Sequence, residues 1–415
     1  MSRVTFLAPD TDAYVASVQR HAAEFTEQTG IELQIEIVDS DGYFSNAIHE
    51  RLASGAADVF MSGPVLLWEH VGAGFVEPLD EFVAQSSAAW DAGDFIPALL
   101  DANRWTGRFG DPLGAGPLLE LPVNCESYNL TYVPAHLERH GLAVPTTWDA
   151  YFATAEELVR ASGGSVHGFG QRGKEAWHTM YTGYASQIWS CGGRDFDDDL
   201  RCAIASPEVV APTEAFIAAL RAAGPPSWTE QRWYELALDF GKGDYGLIVD
   251  SDHYVAIFED PALSPLAGQI GYAPPPAGPG GTVRPNLWTW SLVMNANSRS
   301  KSAAWQFMEW ASSSEFLLRS VFDGNMNPTR RSVWDAPSFA EHVAAWGDFA
   351  SVSRELVEQR ASVLVTPAVN YIAIAARWVQ ALRDAYLGTT GVAEALRLAA
   401  ADIDELTREG SGARR

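Results

Sequence analysis

Among the residues whose types and spacing could do chemistry, Gly168-Phe169-Gly170-Gln171-Arg172-Gly173 fits G-x-G-x-x-G between a short strand and a helix, with Asp195 about 20 residues on. In a dinucleotide fold those glycines let the backbone reach a pyrophosphate at a helix N-terminus. The context argues against it: the strand is short and carries His167, and Asp195 sits in a Gly/Asp turn instead of ending a second apolar strand. No nicotinamide or other cofactor is expected. His136 and His140 have the i, i+4 spacing of a metal pair, but H-E-x-x-H is absent and no third ligand is evident, so a solvated helix end is the simpler reading. Asp195, Asp197, Asp198 and Asp199 form an acidic turn without the glycine and distal glutamate of a calcium loop. There is neither a G-x-S-x-G nor a P-loop. No metal site is expected, and the catalytic motifs are close to silent.

The aromatic residues carry more. Trp68, Trp177, Trp189, Trp228, Trp233, Trp288, Trp290 and Tyr254 fall at element ends or in short strands, where an indole presents a flat apolar face beside one N–H donor. Sugars and polyols need both: their C–H faces stack on rings while their hydroxyls take charge-assisted bonds from Asp, Glu and Arg. Trp305 and Trp310, at helical spacing, read as packing residues.

These residues need a scaffold, and the chain alternates strands and helices. Val4 to Ala8 is a strand, and Val15, Val18, Ala22 and Phe25 share one helical face ending at Gly30. Ile31, Leu33, Ile35 and Ile37 alternate with polar residues, then come a helical stripe through Leu52, a short strand Asp58 to Met61 and a helix from Pro64. That order implies right-handed crossovers and a parallel sheet covered on both faces, with ligands beyond the carboxyl ends of strands at 39–43 and 62–64. A second α/β set follows: strands at 121–132, 166–170 and 245–250, and helices at 147–160, 174–190 and 207–223. Leu287 to Asn295 is a further strand, and the last sixty or so residues are largely helical.

The 415 residues make two or three domains' worth of chain, and 47% hydrophobic residues supply sizeable cores. With 28 Lys and Arg against 53 Asp and Glu, the charge of −25 disfavours nucleic acid and anionic membrane surfaces. No run of about 20 apolar residues spans a bilayer. The N-terminus runs from Met1-Ser2-Arg3 into a strand without a signal region, which fits a cytosolic chain or a mature form whose leader has been removed. Cys191 and Cys202 flank a turn, and their spacing leaves both a hairpin disulfide and buried thiols open.

Ordered segments along nearly the whole chain resemble the extracellular solute-binding proteins of family 1, the carbohydrate-capturing subunits of ABC importers related to maltose-binding protein. They are Ala56-Ala57-Asp58-Val59-Phe60-Met61 with Gly74-Phe75-Val76-Glu77-Pro78-Leu79-Asp80; Tyr128-Asn129-Leu130 through Pro145-Thr146-Thr147-Trp148-Asp149; Trp288-Thr289-Trp290-Ser291 through Asn297-Ser298 to Trp305-Gln306-Phe307; and Asn327-Pro328-Thr329-Arg330. The resemblance implies a two-lobed α/β periplasmic-binding-protein fold of type II, each lobe a mainly parallel sheet flanked by helices, with the ligand cleft at the hinge. Residues 1–123 plus 274–326 would form one lobe and 124–273 plus 327–415 the other, with crossings near Asn124, Tyr272 and Asn327. It also implies an extracytoplasmic monomer that delivers a neutral carbohydrate or polyol to ABC permease subunits and is not an enzyme. Cys125 beside the first crossing departs from the family pattern.

Strand ends, crossing segments and family-like positions together select the site. Trp177, Trp288 and Tyr371 are the stacking platforms, joined by Trp290. Asp41, Glu126, Arg172 and Asp250 are the hydroxyl partners, with Tyr43, Ser62, Asn124, Tyr254 and Asn370 in support. The competing reading is a carbohydrate hydrolase with a carboxylate pair in the same cleft.

Overall fold

The computed structural model describes residues 2–10, 13–44, 46–174, 176–180 and 182–412, apart from the side chains at 41, 46, 176, 178 and 409–412. Its strands are β1 (Arg3–Pro9), β2 (Glu32–Val38), β3 (Val59–Ser62), β4 (Leu121–Tyr132), β5 (His167–Gly170), β6 (Tyr245–Ser251), β7 (Gly271–Ala273) and β8 (Leu287–Met294). The chain divides into two compact units: residues 1–125, 288–342 and 367–369, and residues 126–287, 343–366 and 370–415.

In the first unit the order is β2-β1-β3-β8. β1 is parallel to β2 and β3, as β-helix-β crossovers require, whereas β8 arrives from the other unit and runs antiparallel to β3. The helix Ala13–Thr29 buries Tyr14, Val15, Val18 and Phe25. The Phe25 ring lies 5.8 Å from Phe307 and 5.4 Å from Trp310, and Phe6 lies 5.1 Å from Phe307, so Trp310 packs a core as its helical spacing predicts. The helix closes on Gly30 at φ 70°, a left-handed conformation that glycine adopts without a Cβ penalty.

In the second unit β5 is parallel to β6, while β4 pairs antiparallel with both β6 and β7. The sheet is therefore mixed, with fewer parallel pairs than a purely crossover-built lobe would have. Helices Trp148–Ala161 and Pro207–Ala223 cover β5, the first capped by the Thr147 hydroxyl on Ala150 N–H at 3.2 Å.

The divisions differ from those expected. The first falls after Cys125. The second falls after Leu287 instead of near Tyr272, because Tyr272 sits in β7, paired to β4 inside the second unit. The third falls after His342 instead of near Asn327, because 325–329 is stitched to the first unit's end of β4. Asn325 Nδ2 donates to the Val123 carbonyl at 3.2 Å, Cys125 N–H to Asn327 O at 3.3 Å and Thr329 Oγ1 to Pro122 O at 2.9 Å. Pro367–Val369 returns briefly to the first unit, too short a visit for composition to mark. Cys191 and Cys202 are thiols, not a disulfide. No helix among the described residues is long and apolar enough to cross a membrane.

Candidate functional site

A buried polar cluster lies in the second unit, where β4, the segment after β5 and the end of β6 converge. Arg172 follows β5 and Asp250 lies near the end of β6. Parallel pairing of the two strands sets Gly170 opposite Ile248, so residues two further along each strand fall together. Arg172 Nε lies 3.0 and 3.1 Å from the Asp250 carboxylate oxygens, and Nη2 bonds the same group. Both side chains are buried, at 6% and 1% exposure. Burial works against the guanidinium charge, but Asp250 outweighs it and holds Arg172 firmly protonated. The Arg172 carbonyl is fixed by Trp228 Nε1–H at 3.1 Å.

Tyr254 stands in the turn after β6, and the Arg172 guanidinium carbon lies 5.3 Å from its ring centroid. Trp233 stacks on Tyr254 with centroids 6.1 Å apart and planes 21° apart. The Tyr254 hydroxyl is buried and has no hydrogen-bond partner among the described residues. Burial, opposed by Arg172 and reinforced by Asp250 and Glu126, keeps that phenol neutral. From β4, Tyr128 donates to Glu126 Oε2 at 3.4 Å. Between them Ser127 donates its N–H and hydroxyl to Asp252 at 2.9 and 2.5 Å. Burial nevertheless pushes the Asp252 carboxyl up to about 7.

The structure thus brings Glu126, Arg172, Asp250 and Tyr254 into one cluster. Trp177, in the short helix Ala176–Met180, is 8% exposed and so offers at most an edge to solvent. Asn370 Nδ2 donates to the Leu406 carbonyl at 3.1 Å, and Tyr371 is wholly buried at the start of the helix Tyr371–Leu387.

The first unit carries a separate aromatic face on β8. Trp288 and Trp290 project to one side, with centroids 5.3 Å apart, and Phe44 lies 5.8 Å from the half-buried Trp290. Thr289 and Ser291 project to the other side, bonded to Asn103 at 2.8 and 3.1 Å. Trp288 packs against Gly63, where a Cβ would sit 2.4 Å from the indole Cζ2. Ser62 Oγ lies 3.3 Å from His70 Nδ1, a ring kept neutral because burial lowers it to about 3. Two expected contacts have structural duties instead: the Tyr43 hydroxyl lies 2.7 Å from Met61 O, and Asn124 Nδ2 bonds Asn325 Oδ1 at 2.9 Å. The Asp41 side chain lies outside the described residues.

The cluster also contains Tyr128 and Asp252, which the sequence pattern did not single out for the site, and Trp233, which it marked only as an aromatic residue at an element end. Tyr128 could have been found, since it shares the face of a strand with Glu126. The G-x-G-x-x-G glycines serve packing: a Cβ would meet Ala155 O at 2.1 Å from Gly168, Leu236 at 2.4 Å from Gly170 and Trp228 O at 2.2 Å from Gly173. His136 bonds the Gly243 carbonyl at 3.0 Å, and among the described residues no cluster could hold a metal ion.

Two α/β units, with buried charge and aromatic faces at the ends of their strands, define a small-molecule-binding protein. Residues 8–316 match the bacterial extracellular solute-binding protein family, and the chain belongs to that family. It is 31% identical over 385 residues to the erythritol/L-threitol-binding protein of Mycolicibacterium smegmatis, covering 90% of this chain and 80% of that one. It is 26% identical over 295 residues to a mannitol-binding protein of Pseudomonas aeruginosa, covering 69% and 63% of the two chains. A ribitol complex of an ABC transporter solute-binding protein from Agrobacterium radiobacter superposes with a TM-score of 0.86 at 22% identity, covering 98% of each chain. One from Agrobacterium vitis with bound D-mannitol superposes at 0.81 and 22% identity, covering 99% of each. The fold is the type II periplasmic-binding-protein fold.

Proposed function

We propose that this protein captures a small acyclic polyol for an ABC importer. The observation that carries the reading is the Arg172–Asp250 pair packed on Tyr254, whose buried hydroxyl has no partner among the described residues. A fixed guanidinium and carboxylate offer donors and acceptors at once, as successive hydroxyls require, and Trp233 supplies a face for the C–H groups. A neutral ligand also suits a chain of net charge −25. The kinship with erythritol/L-threitol-, mannitol- and ribitol-binding proteins supports alditols over closed-ring sugars. On this reading the protein works outside the cytoplasm as a monomer and hands its ligand to permease subunits.

The test is calorimetric titration with erythritol, L-threitol, ribitol, D-mannitol and maltose, followed by chromatography of the ligand. An alditol is expected to bind saturably and to be recovered unchanged. Binding confined to maltose would refute the alditol assignment, and release of product would establish a hydrolase instead.

A further inference from the structure

A cavity lies in the second unit, at the end of the helix Gly183–Ser190, and none of the polyol-site residues lines it. Its volume is about 440 Å³, within the range of small-molecule sites. One wall is Trp189, half-buried and backed by Trp378 with ring centroids 6.2 Å apart. Arg194 and Arg284 stand on the lining with the hydroxyls of Thr282 and Ser362. In a chain with 53 acidic residues, no carboxylate lines this cavity.

The two guanidinium groups have little else to do. Arg284 is exposed and makes no ion pair among the described residues; its backbone N–H bonds Ser190 Oγ at 3.0 Å, which fixes the segment and leaves the side chain available. Arg194 reaches only Asp198, at 3.2 Å, and that carboxylate is 97% exposed. Neither caps the helix. The Trp189 and Ile188 carbonyls accept from Gly192 and Gly193 N–H at 3.2 and 2.9 Å, and the Gly278 backbone covers the Ser190 carbonyl so closely that a Cβ there would lie 2.0 Å away. Burial, helped by Asp149, pushes the Cys191 thiol up, so the lining adds no thiolate.

We propose that this cavity is a binding site, separate from the polyol site, for a small oxyanion with a flat apolar body, such as an aromatic carboxylate. The guanidinium fork matches a carboxylate and the indole a flat ring. Asp149 and Asp198 weaken the local positive field, so the expected affinity is low.

The experiment is ligand-observed NMR and calorimetry on the full chain with benzoate, inorganic phosphate and benzyl alcohol, using the wild type and the R194Q/R284Q double variant. Benzoate is expected to bind the wild type saturably, to weaken about tenfold in the double variant and to weaken with salt. Alditol affinity should be equal in both proteins, which also shows that the variant is folded. No saturable benzoate binding, or equal binding by the double variant, overturns the proposal. So does benzyl alcohol binding as tightly, which would remove the role of charge, or phosphate binding as tightly, which would remove that of the flat face.

Discussion

Replacing Tyr254 by Phe should move stability and affinity in opposite directions. The hydroxyl is buried with no partner among the described residues, a state that costs a free protein about 1–3 kcal/mol. Phe keeps the ring beneath Arg172 and against Trp233 and removes only that oxygen. The ligand-free variant should therefore gain about 1 kcal/mol, read as a higher urea midpoint at unchanged slope. If the hydroxyl is held for a polyol oxygen, one neutral hydrogen bond of about 0.5–1.5 kcal/mol is lost on binding, a roughly 2- to 12-fold rise in Kd by calorimetry. A variant that is less stable with unchanged Kd would refute the reasoning, since the hydroxyl would then serve the fold.

Asp250→Asn leaves the buried Arg172 uncompensated and should cost about 3–5 kcal/mol in urea unfolding, with alditol binding lost. Gly63→Ala drives a methyl into Trp288 and should cost about 1–3 kcal/mol, with a changed near-ultraviolet circular dichroism band. Asn327 holds φ 60°, so Asn327→Val should cost about 1–2 kcal/mol while Asn327→Gly stays near the wild type in thermal unfolding. Asp252 titrates near 3.8 when unfolded and at about 7 when folded, so the native state holds the proton more tightly. The stability this gives is full below about pH 4 and is lost as pH rises to about 7, roughly 4 kcal/mol in all. Asp252→Asn should flatten that part of the stability–pH curve.

Alternation and helix stops located most elements, because a strand or helix with one buried face writes its period into the sequence. The mixed pairing was less legible: β4 and β8 are each buried at all but one position, so their pattern says nothing of direction. Within the site, Arg172 and Asp250 were each selected, but only the register of β5 with β6 brings residues 78 positions apart into contact. Asn370 and Tyr371 stood out because they open a helix near a crossing, a position that looks the same in sequence whatever its side chains face. Asp252 was hidden by Asp250: two acidic residues two positions apart at a strand end give no hint that one pairs with arginine and the other accepts from Ser127.

The buried ion pair is a poor choice for stability alone, since an apolar pair of similar volume would avoid desolvating two charges. Its retention makes sense if the desolvation is spent once, during folding, so that a polyol meets donors and acceptors already aimed and already stripped of water. The side chains then lose little freedom on binding, which is where flexible surface charges forfeit affinity. This account predicts that Arg172→Lys, which keeps the charge but loses the planar fork, will keep much of the stability and little of the affinity. Equal losses in urea unfolding and in alditol calorimetry would show that the pair matters only as a charge.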